Sequence, residues 1–126
     1  MGKSIKGFDP RFEAADQTAN AFARVVLITG GAGFIGSNLS RRLLDAGDRV
    51  ICVDNLETGR YENISALMSN PSFRFFEHDI VEPFSISGRI DRIYNLACPA
   101  SPPKYQIDPV HTLLTSVVGA VNLLDV

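Results

Sequence analysis

Two cysteines, two histidines and a formal charge of only −2 leave this 126-residue chain short of the materials that several functions need. Without a surplus of Lys and Arg there is no basic field to draw in nucleic acid or an anionic membrane surface. The apolar runs are far too short to cross a bilayer. The opening MGKSIKGFDPRFEAADQ has no apolar stretch of the kind a secretory leader carries. Cys52 and Cys98 show no metal-ligand spacing, so no metal is expected. Both are expected as small buried thiols, with a disulfide or a catalytic thiol as the alternatives. His78 and His111 have no matching Ser, Cys or second His, and are expected to be structural or solvated.

What is present is ordinary for a globular protein: 45% hydrophobic and 21% charged residues, enough for one domain with a real core. The most informative stretch is VVLITGGAGFIGSNLSRRLL, starting at Val25. Val25, Val26, Leu27 and Ile28 form a continuous apolar run, as in a central parallel strand covered on both faces. Gly30, Gly33 and Gly36 follow at the spacing G-x-x-G-x-x-G. Gly30 permits a tight turn, Gly33 lets a phosphate approach the backbone, and Gly36 lets the next helix pack on the sheet. That helix aims its free N–H groups and positive dipole end at the phosphates of a dinucleotide. A second strand, 49–53, ends at Asp54, whose carboxylate is placed to accept from a ribose and to repel a 2′-phosphate.

The rest of the chain extends this unit. The first helix is expected over 34–46, with Ile35, Leu39 and Leu43 facing the sheet and Gly47 closing it. A short helix is expected over 61–69, with Ile64 and Leu67 inside. Strands are expected over 73–77 and 90–97, followed by a proline-rich loop, CPASPPKYQ. Asp108 caps a final helix with Pro109 at its first position. Along it Val110, Leu113, Leu114, Val117, Val118, Val121 and Leu124 make one broad apolar stripe. Residues 1–23 are expected as an N-terminal arm, whose segment 10–23 is open between a short helix and a loose arm. The expected fold is α/β: a Rossmann-type parallel sheet with helices on both faces, truncated after about four strands, and occupying 24–126. A cytosolic-type cofactor fold without a secretion signal fits a reducing, cytoplasmic compartment.

Several strings carry a family resemblance. TGGAGFIG resembles the cofactor fingerprint of the extended short-chain dehydrogenase/reductases, the NAD-dependent epimerase/dehydratase family. VDNLETGR resembles the ribose and adenine loop of their sugar-nucleotide branch. HDIVEPF and NLACPASPPKYQIDP are similar to the pattern of the UDP-glucuronate decarboxylases. In that family bound NAD oxidises a UDP-sugar at C4, the β-keto acid loses carbon dioxide, and the ketone is reduced again.

The resemblance implies roles for particular residues. Gly30, Gly33, Phe34, Ile35 and Gly36 would hold the pyrophosphate of NAD. Asp54 would bind the adenosine ribose, with Asn55, Thr58 and Gly59 beside it. Asp79 would bond the adenine amino group and Ile80 would stack on the ring. Leu96, Ala97 and Cys98 would line the nicotinamide side, with Thr115 nearby. Phe84, Ser85, Tyr105 and Asn122 would face the UDP-sugar, expected to be UDP-glucuronate, although Tyr105 in a proline loop is equally open to a packing role.

The departures from the pattern matter. The family reads K-T-N-x-x-G-T-x-N in its last helix, whereas Leu114 to Asn122 lacks the Lys, the first Asn and the second Thr. None of Tyr61, Tyr94 and Tyr105 has a Lys four residues later, so the catalytic Tyr-x-x-x-Lys pair is absent and no catalytic residue is expected here. The expectation is the NAD-binding part of a decarboxylase-like enzyme, inactive by itself. The alternatives are a fragment of a UDP-sugar 4-epimerase or 4,6-dehydratase, a stand-alone NAD-binding module, and a decayed fragment. A bare edge on the fourth strand and the stripe of the last helix predict a homo-oligomer.

Overall fold

The computed structural model describes residues 3–4 and 22–126. The helix-or-arm alternative for 10–23 lies outside the described residues, all but the last two of them. The elements are β1 (Lys3–Ser4), β2 (Val25–Thr29), α1 (Phe34–Asp45), β3 (Arg49–Asp54), β4 (Phe73–Glu77), β5 (Phe84–Ser85), β6 (Arg92–Asn95), α2 (Pro102–Tyr105) and α3 (Pro109–Leu124). Four strands form one parallel sheet in the order β4-β3-β2-β6. A separate two-residue parallel pairing joins β1 to β5.

The expected Rossmann-type architecture is what forms. Every residue of β2 and β3 is buried, as their unbroken apolar runs require. Alternate residues point to opposite faces. Val26, Ile28, Val50 and Cys52 pack with Ile64, Leu67 and Phe73, against Leu39, Leu43 and Leu44 of α1. Val25, Leu27, Ile51 and Val53 pack with Ile80, Phe84 and Leu123 of α3 on the other side. Each such side chain contributes roughly 1.5–3 kcal/mol when fully buried, so the central pair of strands anchors both layers.

The structure corrects several expectations. Ile35 does not face the sheet; it is 67% exposed. The buried positions of α1 are Gly36, Ser37 and Ser40, and both hydroxyls donate to carbonyls of their own helix, Phe34 and Gly36. Small residues let the helix approach closely without leaving a polar group unpaired. The short helix expected over 61–69 forms as two 3-10 turns, Tyr61–Asn63 and Ser65–Leu67. Three residues per turn set Ile64 and Leu67 on the same side, and both are buried. The fourth strand of the sheet is shorter than 90–97, because Ile90 packs into the α3-side core and Cys98 turns back to the carbonyl of Leu96. Cys52 is buried as expected, but Cys98 is exposed.

Helix α3 packs through residues other than its apolar stripe. Asp108 caps it as expected, its carboxylate accepting from the His111 N–H at 2.9 Å, with Pro109 at the start. Yet Val110, Leu113, Val117, Val121 and Leu124 are all more than half exposed. The helix packs through Thr115, Gly119 and Leu123 instead. A Cβ on Gly119 would stand 2.6 Å from Cδ1 of Ile80, so a larger residue there would require the Ile80 side chain to shift. Among the described residues no helix is long and apolar enough to cross a membrane, and no cluster of His, Cys, Asp or Glu could hold a metal ion.

Candidate functional site

All four strands of the sheet run the same way, so their carboxyl ends open onto one edge, where ligands bind in folds of this kind. There a cleft of about 610 Å³ lies between the glycine turn, the loops after β3 and β4, the loop after β6, and α3. That volume falls in the range of small-molecule sites.

The glycine turn is built in two different ways. Gly30 has φ +68°, donates its N–H to Val53 at 2.8 Å, and has the Leu96 carbonyl 2.5 Å from where a Cβ would stand. At Gly36 a Cβ would stand 2.5 Å from the Gly30 carbonyl oxygen. Both glycines are demanded by the protein's own backbone. Gly33, the N-cap of α1, has extended dihedrals that any residue adopts, and only the Gly30 oxygen, at 3.3 Å, stands near its absent side chain. The space that a Cβ would fill there borders the cleft. No side chain caps α1 and its first turn holds no acid. The leading N–H groups of a helix have no partners within it, so this terminus presents donors and positive potential to the cleft.

At the end of β3, Asp54 is 7% exposed. One carboxylate oxygen accepts from the Ala32 N–H at 3.0 Å and the other from the Leu56 N–H at 2.8 Å. Leu56 sits at φ +58°, a strained conformation for a residue with a branched side chain. Asp54 therefore ties the glycine turn to the 55–59 loop. A carboxylate has about four acceptor positions, so capacity remains for a ligand. Beneath it, burial, and then the charge of Asp54, push the Cys52 thiol far up, so that it stays protonated.

After β4, Asp79 accepts from the Val81 N–H at 3.0 Å and pairs with Nε2 of His111 at 2.8 Å, while Nδ2 of Asn55 stands 3.5 Å away. Glu57 faces the other ring nitrogen of His111 at 3.7 Å. Burial raises the Asp79 carboxyl, but the bonds from Val81, His111 and Asn55 together outweigh it and hold it below its ordinary value. His111 is raised above its ordinary value, first by the hydrogen bond to Asp79, against a smaller opposing effect of burial. On the β6 side, Thr29 donates to the Asn95 side chain at 2.7 Å, fixing the strand end from which Leu96, Ala97 and Cys98 enter the cleft.

The structure brings Gly30, Gly33, Phe34, Ile35, Gly36, Asp54, Asn55, Thr58, Gly59, Asp79, Ile80, Leu96, Ala97, Cys98 and Thr115 to the wall of this one cleft. Phe84, Ser85, Tyr105 and Asn122 lie off it. Phe84 is in the core, Ser85 and Tyr105 are exposed, and Asn122 donates to the carbonyls of Ile80 and Val81 at 2.7 and 3.0 Å. Glu57, Asn95, Ser101, Lys104 and His111 also line the cleft, none of them expected there. Of the two expectations for His111, structural or solvated, the pairing with Asp79 fits the structural one. Its signal was present in the sequence, because it stands one helical turn before Thr115 on the same face.

Comparison with known proteins agrees with this geometry. UDP-glucuronic acid decarboxylase 2 of Arabidopsis thaliana is 54% identical over 99 residues, covering 79% of this chain and 22% of the relative. UDP-glucuronic acid decarboxylase 1 of Danio rerio is 46% identical, with 79% and 23% covered. The chain thus spans about a fifth of the length of these relatives. A UDP-glucose 4-epimerase of Thermotoga maritima, solved with UDP-glucose, superposes with a TM-score of 0.65 at 32% identity, over 80% of this chain and 33% of that one. The Thermus thermophilus UDP-glucose 4-epimerase in complex with NAD gives 0.62 at 32% identity, over 80% and 32%. The model of the family described as GDP-mannose 4,6 dehydratase matches residues 27–126, and the chain belongs to that family.

Proposed function

We propose that residues 24–126 bind NAD and form the cofactor-holding part of a nucleotide-sugar-modifying enzyme of the UDP-glucuronate decarboxylase kind. The observation that carries this is the uncapped start of α1 opening onto a cleft beside Gly33, where the only protein atom near the absent side chain is the Gly30 carbonyl oxygen at 3.3 Å. The pyrophosphate takes the vacant donors of the first turn. Asp54 and Asn55 serve the adenosine ribose, Asp79 and Ile80 the adenine, and Leu96, Ala97, Cys98 and Thr115 the nicotinamide side. When bound, NAD supplies a hydride acceptor and donor for a sugar carbon. The decarboxylase relatives, at about half identity, favour UDP-glucuronate as the sugar-nucleotide. In this reading the exposed Tyr105 and Ser85 meet it from outside the cleft, while Phe84 in the core and Asn122 on the Ile80 and Val81 carbonyls support the wall.

The test is direct. The purified chain is denatured and any released nucleotide is identified by mass and absorbance, and the chain is titrated with NAD by calorimetry. Binding with a thermal shift is the expected result; no heat and no shift would overturn the proposal. Because the sequence holds no Tyr-x-x-x-Lys pair, the chain alone is expected to release no carbon dioxide from UDP-glucuronate, and measurable release would contradict that. The exposed stripe on α3 and the outer edge of β6 support a homo-oligomer. Light scattering at micromolar concentration should give at least a dimer, and a clean monomer would refute it.

A further inference from the structure

One face of α3 runs along the wall of the cleft. His111, Thr115, Gly119 and Asn122 are spaced by four, four and three residues and so lie on one side of the helix. His111 bonds Asp79, Gly119 packs on Ile80, and the Asn122 amide holds the carbonyls of Ile80 and Val81. Thr115 lines the cleft between them. The segment from Asp79 to Val81 is thus held at three positions along the helix, and only the first holds it through a group that titrates near neutral pH.

The cleft end around that group is acidic. Asp54, Glu57 and Asp79 all line it. His111 is faced by Asp79 from the β4–β5 connection, by Glu57 from the loop after β3, and by Asp108 from the start of its own helix. His78 and Lys104 also line the cleft, His78 with Nε2 on the Glu82 carbonyl. As an imidazolium, His111 donates from both nitrogens, to Asp79 and toward Glu57, and offsets one of the three negative charges. As a neutral ring it keeps one donor, and the other nitrogen turns a lone pair on a carboxylate.

We propose that His111 is a positioning residue that fixes the Asp79 carboxylate and neutralises this end of the cleft, so that the affinity for an anionic dinucleotide falls as His111 loses its proton. This rests on the proposed NAD site. The direction follows from charge. The ligand brings phosphates to a cleft that becomes one unit more negative, and the His111–Asp79 bond loses its charge assistance. His111 is raised above 6.5 and Asp79 is held below 3.8, so the pair is fully formed between those values. It weakens as pH rises through the elevated His111 titration.

Calorimetry of the intact chain with NAD between about pH 5.5 and 8.5 tests this, alongside His111→Lys and His111→Asn. The wild type should lose about five- to tenfold in affinity across the range. His111→Lys should hold the low-pH affinity without the slope, and His111→Asn should sit at the high-pH level, also flat. A wild-type affinity independent of pH, or a slope that survives in His111→Asn, would overturn the proposal. The imidazole resonance of His111, followed by NMR without ligand, needs no variant that could misfold. Its midpoint should lie above 6.5 and drop in Asp79→Asn; a midpoint that Asp79→Asn leaves in place overturns the pairing. If NAD binds at no pH while the midpoint behaves as expected, the NAD reading fails and the His111–Asp79 pair stands.

Discussion

The two long helices among the described residues meet the same cleft in opposite ways. α1 offers its end: backbone N–H groups, no capping side chain, and a glycine where a ligand would pass. α3 offers its flank: His111, Thr115 and Gly119 set against the loop that carries Asp79 and Ile80. A helix used by its end needs little from its side chains beyond close packing, and the buried face of α1 is accordingly Gly36, Ser37 and Ser40. A helix used by its flank must give that flank over to small and polar residues. Its apolar residues are then left outside, as the exposed Val110, Leu113, Val117 and Val121 show.

The contrast can be broken at each place where it is made. The largest effect is expected at the flank of α1. In Gly36→Val the new side chain would meet backbone of Gly30 and Gly31, which cannot move aside. A loss of about 3 kcal/mol or more is expected, read as a fall in denaturation midpoint that no ligand restores. On the flank of α3, Asn122→Ala strands the carbonyls of Ile80 and Val81. About 1–3 kcal/mol should be lost, with the melting temperature dropping by several degrees. At the end of α1, Gly33→Ala sharpens the comparison most. Its backbone suits alanine and the added methyl crowds one atom, the Gly30 oxygen at 3.3 Å, so stability should fall by less than in the two variants above while NAD affinity falls about tenfold, or ~1.4 kcal/mol. A melting temperature that falls as far as in those variants would mean that Gly33 serves packing after all. The smallest effect belongs to the end of α3. Asp108→Ala removes the acceptor for the His111 N–H and should lower stability by about 1 kcal/mol.

What could be foreseen from sequence follows the same division. The end of α1 was legible because everything that makes it is contiguous: an apolar strand, three spaced glycines, and Asp54 closing the next strand. Strand β4 was legible for the same reason, its pattern and its flanking turns being local. The flank of α3 was not. Periodicity located an apolar stripe, but which face meets the sheet was decided by a contact with Ile80, 39 residues earlier than Gly119. The partnership of His111 likewise spans 32 residues. Two-residue strands such as β1 and β5, and the single turn of α2, are too short for any pattern to announce them.

Asp54 has a consequence for how this cleft could change. Its two oxygens are already engaged by the N–H groups of Ala32 and Leu56 before any ligand arrives. The residue that would discriminate between ligands is therefore also a joint between two loops. Replacing it with a basic or small residue to admit a 2′-phosphate would leave two backbone donors without acceptors, at about 1–3 kcal/mol each. Retargeting by that single substitution should yield a weakened protein before it yields a new preference. A viable route would first supply substitute acceptors elsewhere in the 55–59 loop, so the order in which mutations are introduced is constrained by architecture as much as by recognition.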